Sequence, residues 1–261
     1  MVLEISLIDL KKVDPEKEYN DTKWIYDPYN VYVDEHRILS IVSGCYKTTT
    51  KWFKELQKTA SNNKHGCIHV AICVERDPEM IQYHWNQPNR EETPYNLLKV
   101  CTGSHCLLYR LPFPHDHPIP KAMKAFFTDP RVMTVGMNMR AVMMRLEADH
   151  GIKFANPVDI NNLAVKGMQR DDLDLGRYDL NRLAKTVLGK HWDVIRPVGP
   201  LPWFPPGGHW WRDKFNPEKV EYATVDTYLC FMISSKILDG MDDKWLIWHV
   251  TVAVVLPLVR Y

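Results

Sequence analysis

A tyrosine and an aspartate four residues apart, Tyr222 and Asp226, are the pair in this chain whose types and spacing could do chemistry. Asn216 and Pro217, just before them, suit the N-cap and first position of a helix. Apolar residues compatible with a helix follow at Val220, Ala223, Tyr228, Phe231, Met232 and Ile237. Residues four apart share a helical face, so the phenol and the carboxylate point the same way. Such a pair is usually a surface feature, and its role depends on the rest of the chain.

The composition describes a globular chain of one large domain or two small ones. It has 261 residues, 45% of them apolar, with 33 basic and 32 acidic side chains. The near-zero net charge excludes a globally basic nucleic-acid binder but leaves a local groove open. The six cysteines form no C-x-x-C pair, and the N-terminus has only a short apolar run before charged residues. We therefore expect no signal peptide, reduced thiols and an intracellular location, nuclear or cytoplasmic.

The elements that must position the pair begin with strands. Residues 1–29 mix charges, prolines and aromatics and are interpreted as an irregular N-terminal arm. Two β-branched runs at 31–33 and 38–42 predict a hairpin, and a helix follows over the segment TTTKWFKELQKTASNNKHG. The apolar run 68–74 predicts a central strand buried on both faces. Strands at 97–101 and 106–111 would complete a meander with it.

Helices dominate the second half. The proline-rich segment before it carries His115, Asp116 and His117, and we interpret this cluster as a solvated loop rather than a metal site. A helix from residue 119, a short strand in RVMTVGM, a helix to about His150 and two further helices are then predicted. Strands first, then alternation of strand and helix, favour an α/β domain with a mixed central β-sheet flanked by helices.

The order of these pieces resembles the ribonuclease D and Werner-type 3′-5′ exonuclease domain, the tyrosine-containing subtype of the DEDD superfamily. The resemblance rests on a central strand that ends in acidic residues, then VGMNMRAVMMRLEADHGI, VDINNLA with DLNRLAKTVLG, and YATVDTYLCFMISSKIL. It covers residues 30–240, and the hairpin and meander look most like plant Werner-type exonuclease proteins. The resemblance implies a ribonuclease H-like fold over that range.

The resemblance also implies a metal-dependent site. Active relatives hold two Mg²⁺ or Mn²⁺ ions with four carboxylates, and a tyrosine orients the attacking water. Tyr222, Asp226 and Glu75 match this pattern, and Glu75 and Asp226 would be the metal ligands. Cys73 and Val142 stand where the family has aspartates. A thiol is a poor ligand for Mg²⁺ and valine has no ligand atom, so we expect weak or absent metal binding and no nuclease activity.

Other carboxylates could in principle compensate for these losses. Asp77 lies two residues after Glu75, but Pro78 follows it and the strand is expected to end there. Glu147 and Asp149 lie one to two turns beyond Val142 and are interpreted as solvated surface charges. A residually active exonuclease that depends on Mg²⁺ or Mn²⁺ stays the alternative hypothesis.

Two segments bear on what an inactive domain would bind. The aromatic loop before the last helix holds Trp203, Trp210, Trp211 and Arg212, which could stack the bases of DNA or RNA or fill gaps in the core. The tail 241–261 is almost wholly apolar from Trp245 to Val259 but shorter than a usual membrane span. We interpret it as an added strand, a homo-oligomer contact or a site for a protein partner, and do not expect a membrane anchor. A protein-interaction module without a nucleic-acid role is the third hypothesis.

Overall fold

A mixed β-sheet forms the centre of the molecule. The computed structural model describes residues 5–9, 26–61, 67–76, 94–112, 117–189 and 217–241. In these ranges eight strands follow the order β1-β2-β3-β6-β5-β4-β7-β8. Their bounds are β1 Ile5–Asp9, β2 Asp27–Val33, β3 His36–Ser43, β4 Ile68–Glu75, β5 Leu97–Thr102, β6 His105–Arg110, β7 Val132–Gly136 and β8 Asn156–Asp159.

The strand pairing confirms the predicted hairpin and meander. β2 and β3 pair antiparallel, and β4, β5 and β6 form an antiparallel meander. Parallel pairings join β3 to β6, β4 to β7 and β7 to β8. β4 therefore lies inside the sheet between two partners, as its continuous apolar run predicts. The sheet is mixed, as expected for this class of α/β domain.

Helices cover both faces of the sheet. They are α1 Tyr46–Ser61, α2 Lys121–Phe127, α3 Met139–His150, α4 Ile160–Met168, α5 Leu180–Leu188 and α6 Pro217–Asp239. One apolar core lies against α4, α5 and α6, and a second lies against α1, α2 and α3. Because side chains alternate along a strand, Ala71 of β4 faces the first core and Ile72 faces the second.

The sequence interpretation of residues 1–29 as an irregular arm is wrong for two stretches. Residues Ile5–Asp9 form strand β1, which pairs antiparallel with β2, and β2 itself begins at Asp27. The short strand β8, with a proline at its second position, was also not predicted. Both errors have the same cause. A strand of four or five residues shows too little alternation of apolar and polar residues to be recognised before its partner strand is known.

Helix α6 carries the Tyr222 and Asp226 positions and is buried on most sides. Its hydroxyl groups are satisfied locally: Thr227 Oγ1 donates to the carbonyl oxygen of Ala223, and Ser234 Oγ to that of Cys230. Thr224 Oγ1 and Ser40 Oγ of β3 share a hydrogen bond of 2.8 Å. These bonds let polar residues lie against the sheet without a desolvation cost. The Thr224–Ser40 bond also links α6 to β3 of the sheet.

Several sequence interpretations fall outside the described residues. These are Asp77, His115, Asp116, the aromatic loop with Trp203, Trp210, Trp211 and Arg212, and the tail from residue 242 onward. His117 is exposed. Among the helices that the structure describes, none has the length and apolar character needed to cross a membrane. The three segment boundaries derived from the sequence stay predictions.

Candidate functional site

A cavity of about 1060 Å³ opens at the end of β4, between α3, α5 and α6. All five positions that the resemblance assigns to the catalytic site, matched or replaced, contribute to its wall: Cys73, Glu75, Val142, Tyr222 and Asp226. The same wall includes the basic and aromatic residues Arg76, Lys99, Arg145 and Tyr95, and the acidic Asp179. The fold thus brings together residues that are up to 153 positions apart in the sequence.

The floor of the cavity is formed by β4 and β5. Cys73 lies directly opposite Lys99 in the antiparallel register, and Glu75 is two residues further along the same face of β4. Lys99 Nζ donates to Glu75 Oε1 over 2.5 Å. The two side chains are only 2% and 15% exposed. Glu75 Oε2 is buried and has no hydrogen-bond partner within the described residues. The matched acid of the central strand is therefore engaged by a buried ammonium group.

The charges around this ion pair act on one another. Burial alone would lower the pKa of Lys99, but the attraction of Glu75, and less so of Cys73 and Asp226, outweighs it, and the pKa lies above its usual value. A hydrogen bond with the Cys230 thiol lowers the pKa of Cys73, burial raises it, and the charge of Lys99 lowers it, with a net decrease. Lys99 is therefore positively charged at neutral pH and sets the electrostatic character of the cavity floor.

The cavity wall above the floor comes from α6. Tyr222 and Asp226 are one helical turn apart and both line the cavity, as their spacing predicts. Both side chains are half-buried. Asp226 lies close enough to Lys99 and Cys73 to shift the pKa values of both. The four-residue spacing thus places both side chains on the same wall of the cavity.

Helix α3 supplies the side of the cavity where the resemblance places an aspartate. Val142 stands there, 7% exposed, and packs into the core formed with α1 and α2. Of the two candidate compensating acids on this helix, Glu147 is exposed and pairs with Lys153 at 3.2 Å. Asp149 pairs with Arg145 at 2.6 Å with 14% of its side chain exposed, so the interpretation as a solvated charge is wrong for Asp149. Neither acid contributes to the cavity wall.

A basic and aromatic pair, Arg76 and Tyr95, forms part of the cavity wall. The Arg76 guanidinium lies 4.8 Å from the centre of the Tyr95 ring, within the range of a cation–π contact. Arg76 Nε is buried and has no hydrogen-bond partner within the described residues. Arg76 occupies the place where the resembling family has tryptophan. The pair offers a planar cation and a ring, which together can stack a base and contact a phosphate.

Lys99 and Tyr95 are the residues that sequence reasoning missed. The segment Leu97-Leu98-Lys99-Val100-Cys101 contained a usable signal, because a lysine in the middle of a wholly apolar strand must find an acidic partner. That partner could not be chosen from the sequence alone, since the register of β5 against β4 decides which acid is within reach.

Comparisons with known proteins agree with this geometry. The chain is 25% identical over 211 residues to a protein named exonuclease 3′-5′ domain-containing protein 2 of Drosophila melanogaster, covering 80% of this chain and 31% of that protein. It is 23% identical over 197 residues to a 3′-5′ exonuclease of Drosophila grimshawi, covering 74% of this chain and 57% of that protein. The chain is therefore similar in sequence to 3′-5′ exonuclease domain proteins over most of its length.

A solved structure shares the fold of this chain. The catalytic core of RRP6 from Trypanosoma brucei superposes with a TM-score of 0.52 at 13% identity, covering 85% of this chain and 53% of that chain. No family model matches the sequence. The chain spans about a third and about a half of the two Drosophila exonuclease relatives. The ribonuclease H-like fold is established, and the resemblance to plant Werner-type proteins stays a prediction.

The residues of this exonuclease-like cavity do not fit the two divalent ions that active members of the resembling family hold. Cys73 is a soft ligand and Val142 offers none. Glu75 Oε1 already accepts a hydrogen bond from Lys99. Within the described part of the chain, no group of three or more His, Cys, Asp and Glu side chains is arranged to hold a metal ion. No chemical step through a metal follows from this site.

Proposed function

We propose that this exonuclease-like domain binds the end of a single-stranded nucleic acid in its cavity without hydrolysing it. One observation carries the proposal. The cavity keeps Tyr222 and Asp226, but Lys99 engages Glu75, and the two missing aspartates are replaced by Cys73 and Val142. Loss of one preorganised group typically lowers a rate by two to three orders of magnitude, and two are missing here. We therefore expect no cleavage by the natural chain.

The remaining chemistry of the cavity favours binding. Its volume of about 1060 Å³ is at the upper end for small-ligand sites and accommodates a terminal nucleotide. Tyr95 and Tyr222 provide rings, and Arg76 provides a guanidinium beside one of them. Aromatic rings stack bases of any sequence, and arginine contacts phosphate. Sequence-independent binding of a strand end is the function that these groups support best.

The first experiment measures binding and cleavage with the same oligonucleotides. Fluorescence anisotropy with 5′-labelled single-stranded DNA and RNA would give the dissociation constant at several salt concentrations. We expect the logarithm of the affinity to fall linearly with that of the salt concentration. Arg76→Met should weaken binding and lower the slope by about 0.7, and Tyr95→Ala should weaken it with little change of slope. The matched control is Arg131→Met, because Arg131 is exposed, pairs with Asp129 and is absent from the cavity wall.

Cleavage is tested on the same strands with Mg²⁺ or Mn²⁺. The natural chain should leave them intact, and Asp226→Ala should behave identically. Shortening by the natural chain that Asp226→Ala abolishes would establish the residually active alternative. An affinity that neither salt nor Arg76→Met changes would rule out phosphate recognition in this cavity and leave the protein-interaction module as the remaining hypothesis.

A further inference from the structure

A lysine in the interior of the sheet is the feature of the cavity that nucleic-acid binding does not explain. Lys99 is 2% exposed, with the fully buried Leu98 and Val100 on either side of it in β5. An ammonium group in such a place is costly unless negative charges surround it. Its partner Glu75 and the nearby Asp226 are the two carboxylates that remain at the positions of the metal ligands.

The position of the ammonium is set by the strand register. Cys73 and Lys99 are directly opposite each other, so Lys99 projects from the same face as Glu75 and toward α6. Its Nζ contacts the Glu75 carboxylate inside the cavity that the Asp226 carboxylate of α6 also lines. A divalent ion held by Glu75 and Asp226 would have to occupy this same space.

We propose that the Lys99 ammonium takes the place of a divalent cation and excludes one from the cavity. Four carboxylates and two divalent ions would sum to zero charge. At the positions of the metal ligands, two carboxylates face one ammonium, which leaves a single negative charge; Arg76, Arg145 and Asp179 are the other charged groups of the wall. The two missing carboxylates, at the positions of Cys73 and Val142, and the added ammonium of Lys99 therefore change the charge of the site in a matched way. The inference concerns the cavity of the proposed function but does not require that nucleic acid binds there.

The test measures Mn²⁺ binding by the full chain without nucleic acid. The free ion is followed by its electron paramagnetic resonance signal, and the melting temperature is recorded with and without Mn²⁺. The proteins compared are the natural chain, a repaired chain with Cys73→Asp and Val142→Asp, and the repaired chain that also carries Lys99→Met. A ligand that binds only the native state raises the melting temperature, by about 5 °C or more at a hundredfold excess over its dissociation constant.

We expect no binding by the natural chain and weak binding by the repaired chain. Adding Lys99→Met should strengthen Mn²⁺ binding at least about tenfold, because a like charge at contact distance is removed. The matched control in the repaired chain is Arg145→Met, which removes a positive charge from the same wall but one that pairs with Asp149. It should change the Mn²⁺ affinity by less than about threefold, since that charge is already compensated.

Three Mn²⁺-binding results would overturn the proposal. They are Mn²⁺ binding by the natural chain, equal affinity of the repaired chain with and without Lys99→Met, and an equal effect of Arg145→Met. If Lys99→Met alone prevents folding, the neutral pair Lys99→Met with Glu75→Gln should restore it, which supports a charge role. Failure of that pair to fold would assign Lys99 to packing and refute the proposal. Failure of nucleic-acid binding would leave these Mn²⁺ results unchanged, so the two proposals are refuted separately.

Discussion

The buried Lys99–Glu75 ion pair allows a quantitative prediction of stability. Lys99→Met leaves the Glu75 carboxylate, 15% exposed, without its ammonium partner. Removing one member of a buried ion pair costs about 3–5 kcal/mol, and the partial exposure of Glu75 favours the lower end. We therefore expect a loss of about 3 kcal/mol in the free energy of unfolding. With a urea m-value of about 2–3 kcal/mol/M, the unfolding midpoint should fall by about 1 M.

A double-mutant cycle separates the ion pair from the loss of packing. Glu75→Gln alone should cost about 2–4 kcal/mol, because it removes the acid nearest to a lysine that is 2% exposed. The double variant replaces both charges by neutral groups of similar size and should lose only about 1–2 kcal/mol. The coupling energy between the two positions would then be about 3–6 kcal/mol. Urea unfolding at pH 7, followed by circular dichroism and tryptophan fluorescence, measures all four proteins.

Additive losses would refute this reasoning, because they would mean that Lys99 and Glu75 do not stabilise each other. The matched control is Lys58→Met on α1, whose ion pair with Glu55 has a similar length of 2.9 Å but side chains that are 72% and 57% exposed. Water already solvates both of these charges, so the unfolding midpoint should not change measurably.

Three further predictions concern the scaffold of the cavity. Burial lowers the pKa of His69 to about 4, so from pH 6.5 down to 4 the unfolded chain takes up a proton that the native chain does not. The free energy of unfolding should fall by up to about 3 kcal/mol across that window, and His69→Gln should remove this decrease in urea titrations at several pH values. Gly136→Ala should lower the free energy of unfolding by about 1–3 kcal/mol, because the Cβ of the new alanine would lie 2.9 Å from the Ile72 carbonyl oxygen. Asn161→Ala should cost about 2–3 kcal/mol in urea unfolding, since Asn161 Nδ2 donates to the carbonyl oxygens of Leu175 at 2.7 Å and Tyr178 at 2.8 Å.

Two of these predictions have a control variant. Gly176→Ala has no atom closer than 4.0 Å to the new Cβ and should leave the melting temperature unchanged. Asn162→Ala changes the exposed neighbour of Asn161 and should be close to neutral. An unchanged acid slope in His69→Gln would show that other groups cause the pH dependence. Equal melting temperatures for the Gly136 and Gly176 variants would mean that the strands relax around the added methyl group.

The sequence was sufficient for the elements whose hydrophobic pattern is long and regular. The hairpin, the meander and the last helix with Tyr222 and Asp226 on one face were predicted, because period and turn residues specify them locally. Strands β1 and β8 were missed because each depends on a distant partner for its identification. The contact between Lys99 and Glu75 was missed for a related reason, since a shift of one residue in β5 would point Lys99 to the other core.

The substitutions in the cavity make sense only as a set. In a site with four carboxylates and two divalent ions, the metal ions would repel the Lys99 ammonium. If the ammonium displaced the metal ions instead, its single positive charge would leave part of the carboxylate charge uncompensated. With Cys73 and Val142 in place of two acids, the same lysine satisfies Glu75 and lowers the charge around Asp226. Arg76, beside Glu75, adds a second cation at the opening. The proposed phosphate contact then depends on the Arg76 guanidinium, because Lys99 is 2% exposed and already engaged by Glu75.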